Sequence, residues 1–257
     1  MTTIVLALAS VVVVSLVSLV GLATISMDEA RLRRLAAVFI SFAVGALLGD
    51  AFIHLIPQTF APQAGSRTAL QSSLLVLAGI MGFFIIEKLL LHRHGVLHEQ
   101  FHGLGQIDRP ELATINLLGD GIHNFIDGLM IGASYLVSPG IGLSTTIAVL
   151  FHEIPQELGD FGILIHSGLT IRTAVLLNLA SASLAILGTG ISLLAGAVAL
   201  DGVTSALIPI TAGGFVYLAA ADLIPELQHD HSVRALTIQT VLISTGVAIM
   251  GLLTLVE

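Results

Sequence analysis

Runs of about twenty mostly apolar residues recur along the whole chain, separated by short polar breaks, and that is the length a helix needs to span a hydrocarbon core. Only 10% of the 257 residues are charged and 55% are apolar, whereas a soluble domain carries roughly a quarter charged residues. Barrel strands alternate over about ten residues, and these continuous runs rich in Leu, Ala and Gly do not. The expected fold class is therefore an all-α polytopic membrane protein forming one domain over residues 1–257.

Eight helices are expected, at roughly 3–26, 35–57, 69–91, 113–137, 141–166, 174–198, 203–226 and 235–256. The longest polar break is the loop 92–111. Arg31, Arg33, Arg34, Lys88, Arg93, Arg109, Arg172 and Arg234 all fall on one set of connections, and Arg67 alone on the other. The positive-inside rule assigns the first set to the cytoplasm and both termini to the outside. The first apolar run lacks the basic start of a cleaved signal and is long enough to span. The expectation is a multi-pass protein of the plasma (inner) membrane, with the lipid bilayer as a partner and a second copy of the chain as a candidate one. The net charge of −8 and the scattered basic residues give no nucleic-acid surface. Cysteine is absent, which excludes disulfides and thiolate metal sites.

His54-Leu-Ile-Pro57-Gln58 ends the second helix and Asp222-Leu-Ile-Pro225-Glu226 ends the seventh. In an alternating topology these helices run in opposite directions. That suggests an inverted repeat of helices 1–3 and 6–8, an arrangement common in secondary transporters.

An ionisable side chain at mid-membrane is costly unless paired or solvated. The fourth helix nevertheless carries Asp120, His123, Asn124 and Asp127, and the fifth carries His152, Glu153, Gln156, Glu157 and Asp160. His123 and Asp127, and likewise His152 and Gln156, are four apart and share a helical face. Two antiparallel helices presenting these faces can surround one cation with imidazole nitrogens, carboxylates and amide oxygens. Such donors without sulfur suit Zn2+, Mn2+, Fe2+ or Cd2+ rather than Cu+. Pro155 removes one helical N–H and frees the carbonyl of Phe151, which a membrane tolerates where it lines a cavity. Polar residues can also act as interhelical glue, but nine on two consecutive spans point to a cation site.

At these residues the chain resembles the ZIP (Zrt- and Irt-like) family of metal transporters. The resemblance rests on His123-Asn124-Phe125-Ile126-Asp127-Gly128 and on His152-Glu153-Ile154-Pro155-Gln156-Glu157-Leu158-Gly159-Asp160. Gly49-Asp50-Ala51-Phe52-Ile53-His54-Leu55-Ile56-Pro57 and Asp222-Leu223-Ile224-Pro225-Glu226-Leu227 are similar to its second- and seventh-helix segments. It implies eight helices, both termini outside and alternating access that delivers a divalent metal, zinc foremost, to the cytoplasm. It also implies ligands at His123, Asn124, Asp127, His152, Glu153 and Gln156, with the metal as cargo and no cofactor. Asp50, His54, Asp120, Glu157, Asp160, Asn178, Asp222 and Glu226 are candidates for the pathway or a second tier. His92, His94, His98 and His102 are candidates for a cytoplasmic loop site.

Gln156 stands where the matching subgroup has histidine. A neutral amide oxygen there makes the expected site harder and weaker for zinc. Two rival readings remain. His152-Glu153-Ile154-Pro155-Gln156 is one residue short of H-E-x-x-H, the metalloprotease signature, but an enzyme would leave the polar fourth helix without a role. A cation channel or proton-conducting protein could also use carboxylate and histidine chains. The expectation is a transporter, not an enzyme.

Overall fold

The computed structural model describes residues 2–25, 27–61, 68–101, 109–198 and 201–255, and among these the chain forms eight helical segments and no strand. They are α1 (Thr2–Thr24), α2 (29–60), α3 (Ala69–Phe101), α4 (Arg109–Val137), α5 (Pro139–His166), α6 (Ile171–Ala197), α7 (201–227) and α8 (Val233–Leu253). Six of them are long and apolar enough to cross a membrane. The other two, α4 and α5, fall short only in hydropathy, being 29 and 28 residues long. They are the helices with the polar cluster. The expected architecture is therefore observed. The main departure is α3, which continues to Phe101, so residues 92–101 of the expected loop are helical.

Side-chain caps set several helix starts. Asp28 accepts from the Arg31 N–H at 2.8 Å before α2, Thr170 from Thr173 before α6, and Ser232 from Ala235 before α8. Each satisfies one of the amides a helix start leaves without a partner. Between α4 and α5 the whole connection is Ser138, whose hydroxyl oxygen accepts from the Ile141 N–H with Pro139 at the first helical position. So short a turn makes α4 and α5 antiparallel neighbours. His123 and His152 each lie about fourteen or fifteen residues from that turn, roughly 22 Å of helix, and so at the same depth.

The expected relation between α2 and α7 has a structural counterpart. Each helix contains one π-helical turn, Asp50–Leu55 in α2 and Leu218–Leu223 in α7. In each the following isoleucine, Ile56 or Ile224, donates its N–H five residues back, to Ala51 or Ala219. The next residue is Pro57 or Pro225, whose missing N–H removes the competing α-helical bond. At the same offset, Gly45 packs on α8 and Gly213 on α3. A Cβ on Gly45 would overlap the Ile243 carbonyl, and one on Gly213 the Val76 carbonyl. The partners reciprocate, with Gly246 against Phe42 and Gly79 against Ile210. Lipid tails offer no hydrophobic drive for helix association, so such close contact supplies the packing energy.

Gly45→Leu or Gly213→Leu is expected to lower the melting temperature in detergent, since overpacking against backbone costs about 1–3 kcal/mol or more. Gly82→Leu is the control, because a Cβ there meets nothing within 4 Å, and it should leave the melt nearly unchanged.

Candidate metal centre

Four side chains converge between α4 and α5: His123 and Asp127 from the first, His152 and Glu153 from the second. His152 and Glu153 are buried and Asp127 is fully so, while His123 is partly exposed. His152 Nδ1 lies 3.2 Å from the Ala148 carbonyl. A carbonyl can only accept, so Nδ1 donates there and Nε2 is the ring nitrogen that faces the cluster. That nitrogen is 3.1 Å from Asp127 Oδ2, 3.2 Å from His123 Nε2 and 3.6 Å from Glu153 Oε1. His123 Nε2 lies 3.7 Å from Asp127 Oδ2 and 3.6 Å from Glu153 Oε1.

Those spacings fit a single small cation. Zinc–nitrogen and zinc–oxygen bonds of about 2.0–2.1 Å at the tetrahedral angle separate neighbouring ligand atoms by roughly 3.4 Å. The five measured separations run from 3.1 to 3.7 Å, and all four donor atoms lie within 4.8 Å of one another. Both oxygens of Asp127 and Oε1 of Glu153 are buried without a hydrogen-bond donor. The sequence has no lysine or arginine between residues 110 and 171. Lone pairs thus converge in a low-dielectric interior with no side-chain cation to balance them, which only a bound cation or protons can offset.

Asn124 and Gln156, the other two expected ligands, differ in placement. Asn124 is fully buried, its Nδ2 donates to Asp120 Oδ1 at 2.6 Å, and its Oδ1 has no partner. Gln156 lines a cavity of about 540 Å³ beside the cluster, together with His123, Pro155, Asp160, Asp222 and Glu226. The lining comes from the early part of α2, the middle of α3, the first half of α4, the second half of α5 and the later part of α7. All lie on the half of the molecule where the eight basic residues sit near the helix ends. α5 stays helical through Pro155.

The pathway and second-tier candidates separate into three groups. Asp160, Asp222 and Glu226 line the cavity, the last two exposed toward its mouth. Glu157 is buried away from it and accepts from Asn178 Nδ2, which also donates to the Ser18 carbonyl in the 3₁₀ turn of α1. Asp50 and His54 lie on α2 toward the opposite side. Asp50 accepts from Thr145 Oγ1 at 2.8 Å and His54 Nε2 donates to the Met250 carbonyl at 2.9 Å. Thr145 is two turns before His152, so Asp50 stands roughly 10 Å from the four-residue cluster. Thr145 Oγ1 in turn accepts from the Ser134 hydroxyl at 3.0 Å, since its one proton goes to Asp50, and neither was singled out in the sequence. Hydroxyls are common in membrane helices and nothing in one sequence marks these. Of the loop histidines, His102 lies outside the described residues, as do the side chains of His92, His94 and His98.

The fold and the cluster define a class, an integral multi-pass membrane protein with a cluster of nitrogen and oxygen donors between two central helices. Comparison with known proteins narrows it. The family profile described as "ZIP Zinc transporter" matches residues 1–104 and 98–254, and the chain belongs to that family. Zinc transporter ZIP13 of Pongo abelii is 35% identical, over 84% of this chain and 66% of that protein. Zinc transporter SLC39A7 of Mus musculus is 32% identical, over 90% of this chain and 65% of that protein. Zinc transporter ZIP13 homolog of Drosophila melanogaster is 31% identical, over 86% and 78%. The chain thus spans slightly less than two thirds of the length of the first two relatives.

Zinc titrated into the purified protein is expected to give an X-ray absorption shell of nitrogen and oxygen near 2.0 Å with no sulfur. His152→Ala and Asp127→Asn should each weaken calorimetric zinc binding by at least about tenfold.

Proposed function

We propose that this chain carries a divalent metal ion, zinc foremost, across its membrane to the cytoplasm by alternating access, with His123, Asp127, His152 and Glu153 as the central ligands. The observation that carries the reading is the convergence of four donor atoms at tetrahedral spacing beside a cavity. Relatives that bear the name zinc transporter support the choice of ion. Two imidazoles and two carboxylates already supply four donors of the kind zinc takes, so Gln156 weakens the case for zinc less than its position in the motif implies. Mn2+, Fe2+ and Cd2+ remain the competing cargoes, because selectivity at such sites follows donor type and geometry. The zinc is substrate here, released again to the other side.

The distribution of basic residues supports both termini outside and the cavity on the cytoplasmic half. In that arrangement the structure is the inward-facing member of the transport cycle. The metal leaves past Gln156 and Asp160 toward Asp222 and Glu226 at the mouth. The outward-facing member opens on the side of Asp50 and Thr145. The protease reading is not favoured. It needs residue 156 as the second metal ligand and Glu153 free as a base, whereas Glu153 Oε1 is 3.6 Å from both imidazoles.

Zinc uptake into proteoliposomes is expected to saturate in the parent protein and to be lost in His123→Ala and His152→Ala, with folding checked by gel filtration. Persistent uptake in both variants sinks the ligand assignment, and linear, non-saturating flux favours a channel.

Because native cysteine is absent, sidedness can be read directly. A Gly159→Cys protein, altered at an open cavity position, should react with a membrane-impermeant thiol reagent from the cytoplasmic side, and zinc should slow the reaction. Labelling only from the outside overturns the orientation.

A further inference from the structure

We propose that Asp120 is a positioning residue that holds the Asn124 amide with its oxygen turned to the metal, and so sets how well the site accepts hard divalent ions. The proposal rests on the transport reading above and assigns its selectivity to a residue outside the four-ligand cluster.

An asparagine amide has a donor end and an acceptor end, and its value as a metal ligand depends on which end faces the ion. Asn124 Nδ2 lies 2.6 Å from Asp120 Oδ1 and 3.2 Å from the Asp120 main-chain oxygen. Both are acceptors. Reversing the amide would bring Oδ1 against two oxygens, so the chemistry of these neighbours dictates the orientation. It leaves Oδ1 buried with no donor on a fully buried side chain. Asn124 adjoins His123 in sequence and lies three residues before Asp127 on the same face of α4. A cation at the cluster is the partner that Oδ1 lacks.

Asp120 takes no part in the compact ligand group. It is one helical turn from Asn124 and also buried, and its side chain accepts from that amide. The same device occurs once more. Asn178 Nδ2 donates to Glu157 and to the Ser18 carbonyl, which leaves Asn178 Oδ1 without a partner. A carboxylate and a carbonyl therefore orient each of these buried amides. A carbonyl-type oxygen favours harder ions such as Mn2+ over softer ones. Freeing the Asn124 amide should then cost Mn2+ more than Zn2+.

The test is parallel Zn2+ and Mn2+ uptake by proteoliposomes of the parent, Asp120→Leu, Asp120→Asn, Asn124→Leu and the Asp120→Leu/Asn124→Leu double variant. Asp120→Leu is expected to raise KM for Mn2+ more than for Zn2+, shifting the Zn2+/Mn2+ preference by roughly tenfold. Asp120→Asn keeps an acceptor oxygen of the same reach and should retain most of the parent preference. In the Asn124→Leu background, Asp120→Leu should add no further shift. A full shift in that background, or equal behaviour of Asp120→Asn and Asp120→Leu, or no shift at all, overturns the proposal. If Asp120→Leu does not fold, Asp120→Thr replaces it, since its hydroxyl is too short to reach Nδ2. If the parent transports neither ion, the transport reading fails, and equilibrium Zn2+ and Mn2+ titrations of the same five proteins decide the positioning role alone.

Discussion

The arrangement of this protein depends on buried negative and lone-pair groups that the chain itself does not neutralise. Asp127 and Glu153 sit in the interior beside two imidazoles, and no lysine or arginine occurs between residues 110 and 171. Burying a carboxylate without a partner costs several kcal/mol or more. Several interior hydroxyls, by contrast, find carbonyl partners on other helices. Ser15 donates to the Ala182 carbonyl, Thr189 to Gly128 and Ser192 to Leu129. Those bonds hold helices together. At the α4–α5 cluster carboxylate oxygens crowd two imidazoles without such partners, a pattern that suits a cation better than interhelical glue.

Close helix packing is what permits the cluster. Gly128 of α4 and Gly188 of α6 bring those backbones so near that a Cβ on either would overlap the other's carbonyl. With α4 held against α6 and turned directly into α5 by Ser138, the histidine–carboxylate faces meet at one depth. The α2–α8 and α3–α7 pairs are closed by the same means at related positions, and their π turns fall at one offset. The α2 turn carries Asp50 and His54, and the α7 turn ends beside Asp222 and Glu226 in the cavity. The two halves therefore present comparable irregular backbone on either side of the central cluster, a relation that resembles the repeats common in secondary transporters.

Much of this was legible before any coordinates. Hydropathy marked eight spans because a bilayer rewards continuous apolar runs, and loop charge ordered them. The sharpest site signal was the presence of His123, Asp127, His152 and Glu153 where a membrane penalises them. Helix ends were read less well. α3 runs on to Phe101 because a helix leaving the bilayer no longer needs apolar residues. The roles of Thr145 and Ser134 were not legible either, since a hydroxyl that closes on its own helix and one that reaches another look alike in sequence.

What the sequence alone determined is the solvent, the number of crossings and the residue types that could hold a cation. Each follows from local cost, paid wherever the residue sits. Which of the expected ligands converge was decided only by tertiary structure. Gln156 belongs to the motif as fully as Glu153, yet it faces the cavity, while Glu153 turns to the imidazoles. Neighbours on a helix differ by about 100° of rotation, and which of two adjacent faces meets another helix depends on packing between segments far apart in the chain. The orientation of the Asn124 amide has the same origin. Its partners are the side chain and main chain of Asp120, and burial removes the water that would otherwise compete for them.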